Sequence, residues 1–334
     1  MTLIRYLFGR IGGIMLVLAI LTVVTYAVFY LSPADPAQLA CGRPCTPERL
    51  LQARTFMGFD SAWYVQVAEF AVGIVVGRTF GSGPAAIECA APCFGYSFRL
   101  STPVTDLIFD RLGVTASLAI GAAVLWLIIG VGTGTVSALR RGSVLDRSLM
   151  TISIAGVSAP SYLVGLLGIL LFGFTLDMVP IGGYSPIGDG MIDWLWHLVL
   201  PWCVLALLNA AIYTRLTRGQ LLEVLNEDYI RTARAKGLPE SRVIPRHALR
   251  NVLLPIATVF GLDLGGLLGG AVITEKVFSM PGLGALLLDA VGNLDLPVIV
   301  GVTLFSAFLI ILANLAVDLC YGLLDPRARR AAVR

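Results

Sequence analysis

The sequence of 334 residues contains little charge: only 13% of its residues are Asp, Glu, Lys or Arg, and only two are histidine. Soluble domains carry about 25% charged residues. Together with 57% hydrophobic residues, this shortage excludes a globular protein that folds in water. The net charge of only +3 also argues against nucleic acid as a partner. We therefore expect a protein surrounded by lipid.

Catalytic motifs are missing as well. The sequence has no Gly-x-x-x-x-Gly-Lys-Ser/Thr phosphate loop, so we expect no ATP hydrolysis by this chain. It has no His-Glu-x-x-His and no Gly-x-Ser-x-Gly motif, and His197 and His247 are predicted on opposite sides of a membrane, which argues against an intramembrane enzyme. We predict a non-enzyme with no catalytic residue, no metal site and no cofactor of its own.

The sequence does contain apolar runs close to the roughly 20 residues that a helix needs to cross the hydrocarbon core. Backbone groups inside a bilayer must be satisfied internally, and the alternation typical of an outer-membrane barrel is not seen, so the runs predict helices. The first run is longer than the apolar region of a signal peptide and is interpreted as a retained anchor. We expect an all-α polytopic membrane protein with about six spans: Phe8–Leu31, Leu112–Leu139, Leu149–Leu176, Trp194–Tyr213, Val252–Val272 and Leu296–Leu319.

The positively charged residues indicate how these spans are oriented. Arginines precede the first span, follow the second at Arg140 and Arg141, and are dense at 215–250 and in the tail. In the short connection 176–193, by contrast, all the charged side chains are acidic. Both termini are therefore predicted to be cytoplasmic. The expected organisation is an N-terminal segment with the first span (1–31), an extracytoplasmic segment (32–111), a membrane core (112–322) that includes a long basic segment (217–251), and a cytoplasmic tail (323–334).

Four of the six cysteines lie in the predicted extracytoplasmic segment, as Cys41-Gly-Arg-Pro-Cys45 and Cys89-Ala-Ala-Pro-Cys93. Disulfides persist outside the cytoplasm, so we expect one or two of them, within or between these pairs. A metal or cluster site formed by the four thiols is the alternative, although the three-residue gaps fit zinc spacing only loosely. In the same segment, residues 63–71 have the mixed polarity of a short helix lying against the membrane or a partner.

The fifth predicted span combines a glycine seam with an ionisable residue. Small residues four positions apart let membrane helices pack closely, and here they are Gly261, Gly265 and Gly269. Asp263, Gly266 and Gly270 lie on roughly the opposite face. An ionisable residue inside a span is a functional candidate. Asp263 is therefore expected either to line a hydrated pore, where the two glycines leave room, or to form a structural pair with a neighbouring helix.

The basic segment between the fourth and fifth spans has the pattern of two short helices with a break between them. Gly237 suits the left-handed position that ends a helix, and Pro239 suits the first turn of the next. The pattern predicts a bent helix pair that projects into the cytoplasm. On charge alone, a basic face in solvent or against anionic lipid is an alternative interpretation.

This segment resembles the Glu-Ala-Ala loop of ABC importer permeases, in particular the B-type subunit of dipeptide and oligopeptide permeases. The resemblance rests on Tyr229-Ile-Arg-Thr-Ala-Arg-Ala-Lys-Gly237 and Arg246-His-Ala-Leu-Arg-Asn251. The triplet falls on Arg231-Thr232-Ala233, without its glutamate. The resemblance implies that the segment couples the permease to ATPase subunits through Tyr229, Arg231, Thr232, Ala233, Arg234, Ala235, Lys236, Gly237, Arg246, His247, Arg250 and Asn251.

Further matches follow the order of the same family along the chain. Pro33-Ala-Asp-Pro36 resembles the end of the family's first span, and Glu275-Lys-Val-Phe-Ser-Met-Pro-Gly-Leu-Gly284, followed by Asp295, resembles the region after the fifth. Together with the polar face of the fifth span, these residues supply the candidates for the pore or its gate: Asp263, Gly266, Gly270, Glu275, Phe278, Pro281, Gly282, Gly284 and Asp295.

The resemblance implies the type I ABC importer permease fold in a bacterial plasma membrane, and a subunit that moves di- or oligopeptides into the cytoplasm. The implied partners are a homologous second permease, two ATPase subunits that bind ATP and Mg²⁺, and an extracytoplasmic binding protein. A nickel, haem or glutathione permease is the alternative within the family. A self-contained ion-coupled secondary transporter is the alternative outside it, but buried charge other than Asp263 is scarce for that role.

Overall fold

The computed structural model describes residues 2–30, 37, 46–57, 61–81 and 86–324. Helices account for most of this chain, and a helix is present at each of the six predicted spans. In chain order they are α1 (Thr2–Tyr30), α2 (Pro47–Met57), α3 (Trp63–Val76), α4 (Val104–Leu139), α5 (Val144–Ser158), α6 (Ser161–Gly168), α7 (Met191–Val224), α8 (Asp228–Ala235), α9 (Glu240–Leu268), α10 (Val272–Val277), α11 (Leu283–Asn293) and α12 (Leu296–Leu324).

Four described helices are each long and apolar enough to cross a membrane: α4, α7, α9 and the Leu296–Ala316 part of α12. Helices α5 and α6 pass the same test only as a pair, and so form a fifth, broken span. Within α1, Gly12–Val28 is a shorter apolar stretch of helix. The fold is therefore a polytopic helical bundle, as the apolar runs predict.

The third predicted span, Leu149–Leu176, is not one straight helix. The chain bends by 102° between α5 and α6. The break falls at Ala159 and Pro160, where Ala159 is extended, with φ −81° and ψ 129°. Proline lacks an N–H donor and disfavours the helical conformation of the residue before it, so the helix must stop there. Helix α6 then ends in a wider π-helical turn at Ile169–Thr175.

The fourth and fifth spans are longer than predicted on one side. Helix α7 continues to Val224 instead of ending at Tyr213, and α9 already begins at Glu240 instead of Val252. A π-helical stretch at Val243–Leu249 includes Pro245, which cannot donate to a regular helical ladder. At its other end, α9 stops at Leu268 rather than Val272. Much of the basic segment is thus a direct extension of two spans.

Glycines set the closest helix contacts of the bundle. A Cβ atom added to Gly134 of α4 would lie 2.6 Å from the backbone oxygen of Thr214 in α7. One added to Gly265 of α9 would lie 3.1 Å from the Cα atom of Ile310 in α12. Gly269 likewise faces Ser306 of α12, so the predicted glycine seam does pack against a neighbouring span.

The described part of the 32–111 segment includes two small antiparallel hairpins. Strands β1 (Arg78–Phe80) and β2 (Ile87–Cys89) pair with Thr79 opposite Glu88, and β3 (Tyr96–Ser97) pairs with β4 (Thr102–Pro103). Cys89 and Cys93 form a disulfide and are both buried. Those two sulfurs are therefore bonded to each other rather than free as metal ligands. The other two cysteines of this segment, Cys41 and Cys45, lie outside the described residues.

Candidate functional site

The basic segment forms a sharp bend, which we call the elbow: helix α8, the turn at Gly237 and the start of α9 as far as Asn251. Gly237 has a φ of +76°. The N–H of Gly237 donates to the carbonyl of Arg234 at 2.9 Å, and the N–H of Leu238 donates to that of Ala233 at 3.3 Å. These two bonds are the Schellman pattern that ends a helix and redirects the chain. Pro239 then precedes the first turn of α9.

Contacts between α8 and the start of α9 hold the two sides of the elbow together. Ile230 and Ala233 are buried in the same apolar cluster as Val243. Across the bend, the Nε atom of Arg234 donates to Oε1 of Glu240 at 2.6 Å. An exposed ion pair of this kind contributes at most about 1 kcal/mol, so apolar burial and the glycine turn are the main stabilising features.

The remaining predicted coupling residues lie on the outside of the elbow or at its edge. Tyr229 is 41% exposed, and its hydroxyl accepts a hydrogen bond from the Asn251 amide at 2.7 Å. The side chain of Arg231 contacts Asp228 at 3.4 Å. His247 is half-buried, and the other predicted coupling residues are all exposed: Thr232, Ala235, Lys236, Gly237, Arg246 and Arg250. The surface of the elbow therefore exposes small side chains surrounded by positively charged side chains.

A partly buried ion pair that the sequence does not predict joins the spans next to the elbow. Asp146, at the start of α5, is 4% exposed and accepts two hydrogen bonds from Arg218 of α7, at 2.7 and 2.9 Å. It also accepts hydrogen bonds from Ser137 and from the Gly142 N–H. Ser143 caps α5 through the Asp146 N–H, and the Ser-x-x-Asp spacing is the signal that could have located this helix start.

The region after the fifth span is a compact α10–α11 hairpin, Val272–Asn293, built around a buried carboxylate. Glu275 is 0% exposed. It accepts hydrogen bonds from the Thr115 hydroxyl of α4 at 2.9 Å, from the Ala285 N–H at 2.8 Å and from the Ala271 N–H at 3.3 Å. Thr115 in turn accepts from the Leu283 N–H at 2.8 Å. A buried carboxylate with this many donors is satisfied, and it joins α4, α10 and α11.

Glycines are needed beside this carboxylate because the chain passes too close to it, and to its own neighbouring backbone, for a side chain to fit. A Cβ atom on Gly282 would lie 2.3 Å from the Glu275 carboxyl carbon, and one on Gly284 would lie 2.8 Å from the Val272 backbone. Gly270 packs against Gly284: a Cβ atom added to Gly270 would lie 2.7 Å from the Cα atom of Gly284, and the φ of Gly270 is +127°. The expectation that Gly270 leaves open space is therefore wrong, because the helix ends before it and the chain turns into the hairpin.

The other gate candidates occupy different positions. Phe278 is 1% exposed, and its carbonyl accepts from the Gly183 N–H at 2.8 Å, whereas Pro281 is exposed. Asp295 is 7% exposed and accepts a hydrogen bond from Ser97 of β3. Burial raises the pKa of the Asp295 carboxyl, and the Ser97 hydroxyl opposes that rise. Asp295 thus joins the 32–111 segment to the start of α12.

Asp263 has a structural partner. It accepts a hydrogen bond from the Tyr213 hydroxyl of α7 at 2.8 Å. Tyr213 is fully buried, and its ring centre lies 6.1 Å from that of Trp126. At nearby Gly266, an added Cβ would meet nothing within 4 Å. One side of α9 is therefore open beside a paired acid, and pore lining by Asp263 and Gly266 stays a prediction.

The helical bundle has a known counterpart. It superposes on a chain of the MetNI methionine ABC transporter, solved in inward-facing conformations, with a TM-score of 0.54 and 18% sequence identity, covering 66% of this chain and 97% of that one. The fold is therefore that of an ABC importer permease.

Sequence comparison identifies the family. Residues 130–330 match the family described as the binding-protein-dependent transport system inner membrane component, and residues 3–119 match the N-terminal region of such components. The chain belongs to this family, and it is a multi-pass membrane component of a transport system that depends on a binding protein.

Several similar proteins match over almost their entire length. A protein of Brucella abortus named as a peptide transport system permease is 38% identical over 320 residues, covering 96% of this chain and 97% of that protein. A protein of Sinorhizobium fredii named as a peptide ABC transporter permease is 36% identical, covering 97% and 99%. The dipeptide transport system permease DppB of Escherichia coli is 34% identical, covering 98% and 99%.

Proposed function

We propose that this chain is one of two homologous permease subunits of an ATP-driven importer that moves di- or oligopeptides into a bacterial cell. The observation that carries this proposal is the elbow, a bend formed by the separate helix α8, the turn at Gly237 and the extended start of α9. The names of the similar proteins support peptides as the substrate class. Nickel, haem and glutathione remain alternative substrates, since a separate binding protein would select the solute.

In this proposal, α8 docks in a surface cleft of an ATPase subunit on the cytoplasmic side. ATP and Mg²⁺ are bound by two such partner subunits. Small exposed side chains at Thr232 and Ala235 allow close contact, while Lys236 and Arg231 surround it with positive charge. Because the partner must bind one state of the permease better than another to shift the equilibrium, the elbow has to keep its shape while it moves.

Movement of the elbow would reach the other side of the membrane through α9. Its far end connects through Gly269 and Gly270 to the α10–α11 hairpin, which Glu275 holds against α4. We assign Asp263 and Gly266 to the pore side of α9, and Glu275 to positioning the hairpin that closes the pore. Rigid-body rocking of packed helices is an established form of such transitions.

A photo-crosslinking residue at Ala235 tests the docking of α8. In the assembled complex in native membranes, illumination should join this chain to an ATPase subunit. The same residue at Ile187, which is 57% exposed in the connection between α6 and α7, should give no ATPase adduct because it lies at the opposite ends of the spans. Adducts from Ile187 but not from Ala235 would overturn the assignment.

A further inference from the structure

Helix α3 packs on the membrane span α1 and lies near the start of α12, although it belongs to the 32–111 segment. Its residues Val67, Phe70 and Ile74 share an apolar cluster with residues of α1 and α12. The rings of Phe70 and Tyr26 of α1 have centres 5.8 Å apart. The other residues of this cluster include Leu18, Leu21 and Tyr26 in α1 and Leu296, Val300 and Leu304 in α12.

These contacts place α3 beside the outer end of the bundle. Phe70 of α3 packs on Tyr26, four residues before the end of α1, and the same cluster includes Leu296, the first residue of α12. Both positions lie at the ends of spans that are predicted to face away from the cytoplasm. We therefore expect α3 at the level where the hydrocarbon core meets the outer head groups.

The opposite face of α3 is apolar and uncovered. At 100° per residue, the exposed positions Tyr64, Val65, Val72, Val75 and Val76 form one arc, with Ala68 and Ala71 between them. Val75 and Val76 are each 76% exposed. This arc carries no charged residue. The helix's one charged side chain, Glu69, lies at the edge of the arc and pairs with Arg78 of the neighbouring hairpin.

We propose that this face of α3 contacts the acyl chains of the lipid bilayer, so that α3 anchors the 32–111 segment in the membrane. Helix α1, on which α3 packs, also presents exposed apolar side chains, among them Leu16, Ile20 and Val24. Trp63 and Tyr64 stand at one end of α3, and this residue pair is typical of the boundary between hydrocarbon and head groups. A docking face for a binding protein would instead carry a polar rim, which the arc lacks.

The proposal is tested with a genetically encoded fluorescent residue at Val75 or, separately, at Val72, in the assembled complex reconstituted in lipid nanodiscs. Quenching by lipids brominated on their acyl chains reports lipid contact, and quenching by iodide reports water. Leu16 is the matched lipid-facing control and Asp189, exposed in the α6–α7 connection, is the water-facing control. Quenching by bromolipid at Val75 and Val72 close to that at Leu16, and several-fold weaker quenching by iodide than at Asp189, is expected.

Two results would overturn the proposal. Strong iodide quenching at both α3 positions would show that the arc faces water. Protection from both quenchers, with controls behaving as expected, would show that another protein covers α3. Either result would leave the permease assignment intact, because lipid contact by α3 does not depend on what is transported.

Discussion

At the scale of single residues, backbone conformation at Gly237 decides the direction of the elbow. The φ of +76° is costly for a residue with a branched side chain, and the surrounding space is otherwise open, since an added Cβ would meet nothing within 4 Å. The requirement for glycine is therefore one of conformation and not of packing. This distinction separates the role of Gly237 from that of the glycines in the α10–α11 hairpin.

Replacing Gly237 by valine should uncouple transport from ATP hydrolysis while the chain still inserts in the membrane. A branched residue held at positive φ costs about 1–3 kcal/mol, enough to shift the elbow to another shape. Asparagine tolerates the left-handed conformation, so Gly237→Asn is the matched control and should retain most of the activity. Uptake and ATPase activity are measured together in vesicles. Normal coupled uptake by Gly237→Val would contradict the role of the elbow.

At the scale of elements, two polar clusters connect helices at opposite ends of the spans. Asp146 joins α5 to α7 near the elbow, and Glu275 joins the α10–α11 hairpin to α4. Removing one member of a buried hydrogen-bonded set leaves the others unsatisfied. Each cluster therefore favours movement of its helices as one body, as the proposed transmission from the elbow to the hairpin would require.

The Gly282→Ala variant tests how tightly the hairpin is built. The new methyl group would overlap the Glu275 carboxyl carbon, at 2.3 Å, and overpacking of this kind costs about 1–3 kcal/mol. We expect a lower midpoint of thermal unfolding for the purified complex, followed by loss of oligomer on size-exclusion chromatography. In Gly266→Ala, where the Cβ meets nothing within 4 Å, helix propensity predicts an unchanged or higher midpoint. Equal midpoints for the two variants would contradict the tight joint.

At the scale of the whole molecule, the chain has the features expected of one subunit of a larger complex. Its sequence contains no phosphate loop, and in the proposed importer the energy for transport enters through the elbow. The side of α9 at Gly266 is open in the single copy, since an added Cβ would meet nothing within 4 Å. In the proposed complex, a second permease would face this side of α9.

Purification of this chain from its native membrane should therefore recover two ATPase subunits and a homologous permease. Mass spectrometry of the ligand carried by the matching binding protein should find peptides of two or more residues. Recovery of nickel, haem or glutathione in that protein would correct the substrate class and keep the importer. Uptake by the isolated chain, driven by an ion gradient, would instead favour a secondary transporter.

Much of the fold could be predicted from the sequence because it depends on local properties. Long apolar runs predict spans whatever their neighbours are, and Gly237 followed by Pro239 predicts a bend because both act through their own backbone. Pro160 ends a helix for the same reason. The apolar run continues on both sides of it, however, so the sequence predicts one straight span and not the bend of 102°.

The helical membrane fold and the position of the elbow follow from the sequence alone. The number of spans does not, since the described residues form four long apolar helices and one broken pair where six spans are predicted. Which polar residues meet is likewise visible only in the folded bundle: Arg218 with Asp146, 72 positions apart, Thr115 with Glu275, 160 apart, and Ser97 with Asp295, 198 apart. The physical reason is that hydropathy and turn preferences act between neighbours along the chain, whereas a hydrogen bond between two helices depends on how they pack.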